Sequence, residues 1–165
     1  MLVTDHFPLT TMIFIASDHA GFELKNQLID YLKSKGLEVE DCGATVFNQD
    51  DDYPDFIYPC AQKVAAGSSN RGIVIGYSGQ GEALVANKVK GIRAAVYYGG
   101  NLEIVKLSRQ HNDSNVLSLG ARFLSEDEAK QAVDLWLETK FEGDRHKRRI
   151  EKITKIEVGK NSSTM

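Results

Sequence analysis

The sequence has few of the features of secreted, disulfide-bonded or membrane-spanning proteins. Only two of its 165 residues are cysteine and three are proline, and two thiols are too few for a disulfide scaffold. Cys42 and Cys60 fit no zinc-binding spacing, so we expect small, buried or half-buried side chains there. No apolar run approaches the roughly 18 residues of a membrane span, and the first residues lack the pattern of a secretion signal. We therefore expect a cytoplasmic protein that does not contact membranes.

An excess of positive charge is also absent. The chain has 20 Lys and Arg against 23 Asp and Glu, a net charge of −3. This excludes a generally basic nucleic-acid binder, although not a local basic patch, and we expect no nucleic-acid partner. Hydrophobic residues make up 42% of the sequence and charged residues 26%, which is the composition of a globular protein with a core. The length fits one ordinary domain.

Strand-like and helix-like segments alternate along the chain. Strands are predicted at residues 12–16, 37–42, 72–75, 92–98 and 116–119, and helices at 22–35, 55–66, 82–88, 102–109, 126–139 and 144–157. The alternation is typical of an α/β, Rossmann-like fold, with a doubly wound, five-stranded parallel sheet flanked by helices and a helix at the C-terminus. We expect Pro59 in the first turn of its helix, where proline is tolerated. Residues 1–11 are expected to form an extension, 12–158 a single domain and 159–165 a flexible tail.

The turn after the third predicted strand is the most distinctive motif. It reads Gly76-Tyr-Ser-Gly-Gln-Gly-Glu82 and leads directly into a predicted helix. In parallel sheets ligands bind at the carboxyl ends of the strands, and such a turn can direct several backbone N–H groups at one anion. It is neither a Walker A loop nor a dinucleotide fingerprint, because no Gly-Lys-Ser/Thr follows and Leu84 stands at the third glycine position. A flexible strand-to-helix turn is the alternative.

Several groups near these turns can carry acid–base chemistry. Glu82 either interacts with the helix dipole or serves as a general base beside an oxyanion site, the pair that proton abstraction next to a carbonyl requires. Asp18 and His19 follow the first strand, where Asp18 can be a simple helix cap. His111 precedes the last strand, and a lone histidine in a loop is usually structural. Asn112 beside it can be a turn residue with a left-handed backbone.

A basic cluster at residues 145–149 stands out in this acidic protein. Arg145 and Arg149 are i, i+4 neighbours on one face of the predicted helix, and two guanidinium groups there can clamp a phosphate. A solvated helix face is the alternative. Nucleic acid is a weaker one, because no aromatic residues accompany the charges. Together, a base, an oxyanion loop, a histidine and an anion clamp suit a small phosphorylated carbonyl compound.

In these motifs the sequence resembles the type B ribose-5-phosphate isomerase family, which also includes galactose-6-phosphate isomerase subunits. The segments that carry the resemblance are Ser17-Asp-His-Ala-Gly-Phe22, Asp52-Tyr-Pro54, Gly76-Tyr-Ser-Gly-Gln-Gly-Glu82, Ala86-Asn-Lys88, Gly91-Ile-Arg-Ala94, Leu107-Ser-Arg-Gln-His-Asn-Asp113, Asn115-Val-Leu117 and the cluster 145–149. The resemblance implies an aldose–ketose isomerase, an intramolecular oxidoreductase that works through an enediolate without a metal or other cofactor. It also implies a homodimer or a dimer of dimers in which two subunits share each active site.

The resemblance implies roles for individual residues. One branch of the family has a cysteine base and the other a glutamate base. This chain has Gly76 at the cysteine position and Glu82 at the glutamate position, so Glu82 is implied as the base that moves the proton between C2 and C1. His111 is implied as the acid that helps to open the sugar ring. Asp18 and His19 are implied to contact the substrate near its reacting and ring oxygens.

The remaining residues implied by the resemblance hold the substrate. The loop from Tyr77 to Gly81 would bind the enediolate oxygens, and its Ser78 would pass a hydroxyl proton. The other expected contacts are Gly79 and Gln80 in that loop, Tyr53 as a wall beside the sugar, Asn112 on a sugar hydroxyl, Arg122, Arg145 and Arg149 on the phosphate, and His146 in the same pocket.

Two departures from the family pattern leave the sugar open. Tyr77 stands where the family usually has a small residue, and the segment 97–101 is slightly longer than usual. Conversion of ribose 5-phosphate to ribulose 5-phosphate is the simplest prediction. A hexose-6-phosphate isomerase, acting on galactose or allose 6-phosphate, is one alternative. A non-catalytic subunit that binds a sugar phosphate is the other.

Overall fold

A five-stranded parallel sheet forms the centre of the computed structural model, which describes the backbone of residues 11–162 and the side chains of residues 11–159. The strands are β1 Met12–Ser17, β2 Glu38–Asp41, β3 Arg71–Gly76, β4 Ala94–Tyr97 and β5 Val116–Gly120. Their order is β2-β1-β3-β5-β4, and every pairing is parallel. The inner strands β1, β3 and β5 are almost entirely buried. The prediction of a doubly wound sheet is therefore confirmed, because continuous apolar runs suit the middle of a parallel sheet.

Helices cover both faces of the sheet. Over the described residues they are α1 Phe22–Ser34, α2 Pro54–Ala65, α3 Gln80–Ala86, α4 Glu103–Gln110, α5 Glu126–Glu138 and α6 Asp144–Ser162, with short 3-10 turns at His19–Gly21 and Ala121–Phe123. Side chains of β1 alternate between two cores. Ile13 and Ile15 pack with α1, α4 and α5, whereas Phe14 and Ala16 pack with α2 and α3. Among the described helices, none has the length and apolar character that a membrane crossing requires.

Two segments differ from what the sequence predicts. Pro59 lies in the second turn of α2, not the first, because Pro54 already occupies the start of the helix. The carbonyl that loses its helical N–H partner is that of Asp55. Asp55 and Pro59 are both exposed, so water can replace that partner and the proline is tolerated. Helix α6 continues to Ser162, through the first part of the expected tail. Residues 1–10 and 163–165 lie outside the described residues.

The two cysteines lie where the sequence suggested. Cys60 lies on the buried face of α2, and Cys42 is half-buried just after β2. Both are free thiols, and the prediction of small, buried or half-buried side chains is confirmed.

Candidate active site

The glycine-rich turn joins the end of β3 to the start of α3. Gly79 has φ +80 and caps the helix, and a Cβ there would lie 3.0 Å from the backbone carbon of Leu119. Glycine is therefore required at this position by both conformation and space. The hydroxyl of Ser118 donates to the carbonyl of Gly79 over 2.6 Å, which fixes the turn to β5. The loop is consequently held rigidly at the carboxyl edge of the sheet.

Glu82 lies in the first turn of α3 and is only 4% exposed. Burial raises the pKa of its carboxyl group, and the negative charge of Asp18 acts in the same direction. Backbone N–H groups of Gly79 and Glu82 donate to the carboxylate and lower its pKa, which offsets part of that effect. A carboxylate whose pKa moves toward neutral pH is suited to abstract a proton, because its affinity for protons is increased.

Asp18 and His19 follow β1 and face the same edge of the sheet. Asp18 is buried, and its Oδ1 accepts from the backbone N–H of Ala20 over 3.0 Å. It therefore does cap the 3-10 turn, as the alternative interpretation held, and it also lies near Glu82. Burial raises the pKa of Asp18, although the neighbouring His19 lowers it.

Asp51 is a partner of His19 that the sequence did not reveal. Its Oδ1 lies 2.6 Å from Nδ1 of His19 and also accepts from the backbone N–H of His19 over 3.0 Å. The hydrogen bond with Asp51 is the largest cause that raises the pKa of His19. It fixes Nδ1 as the protonated nitrogen, so that Nε2 is left for another partner. In the sequence, Asp51 is one of three consecutive aspartates, and nothing distinguishes it from its neighbours.

We expect Asp51→Asn to lower the pKa of His19, because an amide removes the negative hydrogen-bond partner. A histidine with a raised pKa stabilises the fold below its ordinary pKa, and that stabilisation is lost as the pH rises through the raised value. The variant should therefore also weaken this pH dependence of stability. Titration of the His19 ring by NMR measures the pKa. Asp50→Asn is the matched control with a smaller expected effect, and an unchanged pKa in Asp51→Asn would refute the assignment.

A pocket of about 470 Å³ opens beside these groups. Its lining consists of His19, Ala20, Tyr77, Ala121 and Arg122. The backbone N–H of Arg122 donates to the carbonyl of Tyr77 over 3.1 Å, which joins the turns after β3 and β5. The ring of Tyr53 packs against Gly81, where a Cβ would lie 2.7 Å from its Cζ. Several of the predicted residues thus surround one pocket at the carboxyl edge.

The sequence departs from the family pattern at Tyr77 and in the segment 97–101, and both places contact the side chain of Phe123. The rings of Tyr77 and Tyr98 each contact Phe123 edge to face, with ring centroids 6.1 Å apart in both pairs. All three aromatic side chains are more than half exposed. Because Tyr77 also lines the pocket, this aromatic group borders its entrance.

The other predicted residues form a second group at the end of α4 and the start of α6. His111 caps α4 and stacks on His146, with ring centroids 4.2 Å apart and 10° between the planes. Arg145 and Arg149 are exposed on α6. Burial lowers the pKa of His146, and the nearby cationic groups lower it further. Asn112 lines an adjoining groove of about 330 Å³ together with Ile150 and Ile153 of α6.

One chain does not bring the two groups into a single pocket. Glu82 follows β3 and lies at the carboxyl edge of the sheet, whereas His111 precedes β5 and lies at the amino edge. The strand β5 has five residues, which is about 16 Å of rise between the edges. Among the described side chains, the hydrogen bonds, ion pairs and ring contacts of one group do not overlap those of the other. The predicted site residues of one chain therefore lie in two separate groups, one around Glu82 and one around His111.

Each of the two groups also contains side chains of the types that bind metals. Asp18, His19 and Asp51 offer three ligand atoms within 4.8 Å of one another, and so do His111, Glu142 and His146. The sequence had predicted no metal.

Comparisons with known proteins all indicate the same protein family. The model of the Ribose/Galactose Isomerase family matches residues 13–153. A probable ribose-5-phosphate isomerase B of Mycoplasma genitalium is 44% identical over 146 residues, 88% of this chain and 95% of that protein. The ribose-5-phosphate isomerase B of Mycobacterium leprae is 39% identical over 88% of this chain and 89% of its own.

Solved structures give the same result. The crystal structure of ribose-5-phosphate isomerase B from Mycoplasma genitalium with bound ribulose-5-phosphate superposes with a TM-score of 0.87 at 42% identity, and covers 92% of this chain and 99% of that one. The enzyme from Clostridium thermocellum gives a TM-score of 0.85 at 46% identity, over 90% of this chain and 98% of that one.

Proposed function

Because the chain belongs to the ribose/galactose isomerase family, we propose that it interconverts ribose 5-phosphate and ribulose 5-phosphate through an enediolate. The observation that carries the proposal is the buried carboxylate of Glu82 beside the glycine-rich loop. A base next to an anion-binding loop is what an aldose–ketose isomerase needs. Relatives that are ribose-5-phosphate isomerases, one of them solved with ribulose 5-phosphate bound, support the choice of a pentose. The cytoplasmic location remains a prediction.

The proposed reaction moves one proton between two carbons. Glu82 removes the proton from C2 of the open-chain aldose, and negative charge develops on the oxygen of the C1 carbonyl. The backbone N–H groups of the loop from Tyr77 to Gly81 that do not already donate to Glu82 stabilise that charge. Glu82 then returns the proton to C1, while Ser78 passes the hydroxyl proton from O2 to O1, which gives the ketose. The raised pKa of Glu82 favours the first proton transfer.

In this proposal the two groups are half-sites, and each active site combines the Glu82 group of one chain with the His111 group of another copy. His111 would open the sugar ring, and Arg145 and Arg149 would bind the phosphate of a substrate held mainly by the partner. The exposed isoleucines of α6 support such a pairing. Ile153 is 52% exposed and Ile156 is 61% exposed, and isoleucines at this level of exposure suit burial against a second subunit. We propose a homodimer, alone or paired into a tetramer, as the active form.

We expect Gly76→Ala to lower turnover by about 10²-fold, the cost of a small displacement of a catalytic group. A Cβ at this position would overlap the carboxylate of Glu82, so the carboxylate must move. Steady-state kinetics with ribose 5-phosphate measures the loss. Combined with Glu82→Gln, the alanine should cost little more, because both changes act on the same group. Wild-type turnover in Gly76→Ala would show that the carboxylate has another working position.

The proposal is tested directly with the purified protein. In the presence of EDTA it should convert ribose 5-phosphate to a ketose, while Glu82→Gln under the same conditions should not. Hexose 6-phosphates run in parallel test the substrate. Conversion of hexose 6-phosphates alone would support the reaction type and contradict the choice of a pentose substrate. Binding of a sugar phosphate without any conversion would contradict the isomerase function.

A further inference from the structure

Two imidazole rings and one carboxylate lie together at the amino edge of the sheet. His111 and His146 are stacked, and Oε2 of Glu142 lies 3.8 Å from Nε2 of His146. One ligand atom from each residue lies within 4.8 Å of the other two. Two imidazole nitrogens with a carboxylate oxygen form a donor set that is typical of zinc sites with an open position.

The buried nitrogen of His146 points to a ligand independently of this spacing. The residue is only 4% exposed, and its Nε2 has no hydrogen-bond partner among the described residues. A buried polar atom without a partner costs free energy, and a bound cation would satisfy its lone pair.

We propose that His111, Glu142 and His146 form a binding site for Zn²⁺. With metal–ligand bonds of about 2.0–2.2 Å, the ligand atoms of a tetrahedral site lie about 3.4 Å apart. The three side chains must therefore approach one another by about an ångström. Glu142 is exposed and His111 is half-buried, so both have room to move toward the fixed ring of His146. His111 must also turn, because the lone pairs of stacked rings run parallel and do not converge.

The surroundings limit how tightly the site can bind. Arg145 and Arg149 lie close enough to affect His146 electrostatically, and their positive charges oppose a dication. Glu142 supplies the negative charge that offsets them. We therefore expect a reversible site that responds to free Zn²⁺, not a structural site that the fold needs.

Zinc bound here would inhibit the isomerase, and this consequence rests on the proposed function. A metal on the ring of His111 occupies the nitrogen that the proposed ring-opening step needs. Binding of Zn²⁺ itself does not depend on that role, so the two statements can fail separately.

The site is tested by titrating the tag-free, full-length protein with Zn²⁺ in a calorimeter, and with Co²⁺ by its visible absorption. The wild type should bind one ion per chain. Glu142→Gln should bind at least about tenfold more weakly, the lower range of losses on weakening a metal site. The matched control is Glu138→Gln, which removes the same charge from an exposed position at the end of α5. It should bind as the wild type does.

Each of three outcomes would contradict either the zinc site or the proposed role of His111. Absence of saturable binding at millimolar Zn²⁺ contradicts the site. Wild-type affinity in Glu142→Gln, with affinity lost in Asp51→Asn, places the ion at Asp18, His19 and Asp51 and contradicts the site as well. Binding that depends on Glu142 without any inhibition of ribose 5-phosphate conversion supports the site and contradicts the proposed role of His111.

Discussion

Glu82→Gln should lower kcat for ribose 5-phosphate by roughly 10²–10⁴-fold, the usual contribution of a general base. Glutamine keeps the size of the side chain but cannot accept the proton from C2, so KM should change much less than kcat. Steady-state kinetics separates the two parameters. A variant with kcat close to that of the wild type would remove Glu82 from the mechanism.

The pH dependence of activity and that of stability give two further tests of the role of Glu82. Because the pKa of Glu82 is raised by burial, kcat/KM of the wild type should fall on the acid side as the pH drops through that raised value. Burying the charged carboxylate also costs stability at neutral pH, and the cost disappears as the pH falls through the raised pKa. Glu82→Gln should therefore melt at the same or a higher temperature at neutral pH. A melting temperature below the temperature of the assay would indicate that its loss of activity comes from unfolding.

Complementation between two inactive variants should restore about half of the wild-type activity, since one of the two sites in a symmetric dimer is then intact. Glu82→Gln and His111→Asn chains, co-expressed with different tags and purified through both, form the heterodimer. One site receives both substitutions, and the other receives the wild-type Glu82 of one chain and the wild-type His111 of its partner. Each homodimer alone should have little activity, because each of its sites lacks one group.

The decisive control places both substitutions on one chain and pairs it with a wild-type chain. If the half-sites meet between subunits, each site of this heterodimer lacks one group and activity should be nearly absent. If each chain holds a complete site, this heterodimer retains half of the activity and the first one has little. The two arrangements therefore predict opposite results from proteins of the same overall composition.

The sheet was accessible from sequence because its inner strands consist mainly of apolar residues. The runs at β1, β3 and β5 have only one interpretation between glycine-rich and polar turns. Pro59 was misplaced because local preference cannot register that its helix starts at Pro54 and exposes that turn to water. Whether a proline is tolerated at this position depends on the exposure that the fold gives it, not on the helix propensity of proline.

The site could be predicted from the sequence only where its residues are neighbours in the chain. Glu82 and its loop are neighbours in sequence, so their combination was visible. The contact between His19 and Asp51 joins residues 32 positions apart, and its aspartate stands in a run of similar residues. His111 and Glu82 lie on opposite edges because the strands are parallel, and Glu82 follows a strand whereas His111 precedes one.

The close approach of position 76 to the carboxylate of Glu82 bears on how such an enzyme can exchange one base for another. A cysteine at position 76 would bring the Cβ that overlaps the glutamate. The substitution that introduces a thiol would thus also displace the carboxylate of Glu82 from its present position. The thiol and the carboxylate would then exclude each other from the same space, and a chain with a cysteine at position 76 would have to hold its glutamate elsewhere.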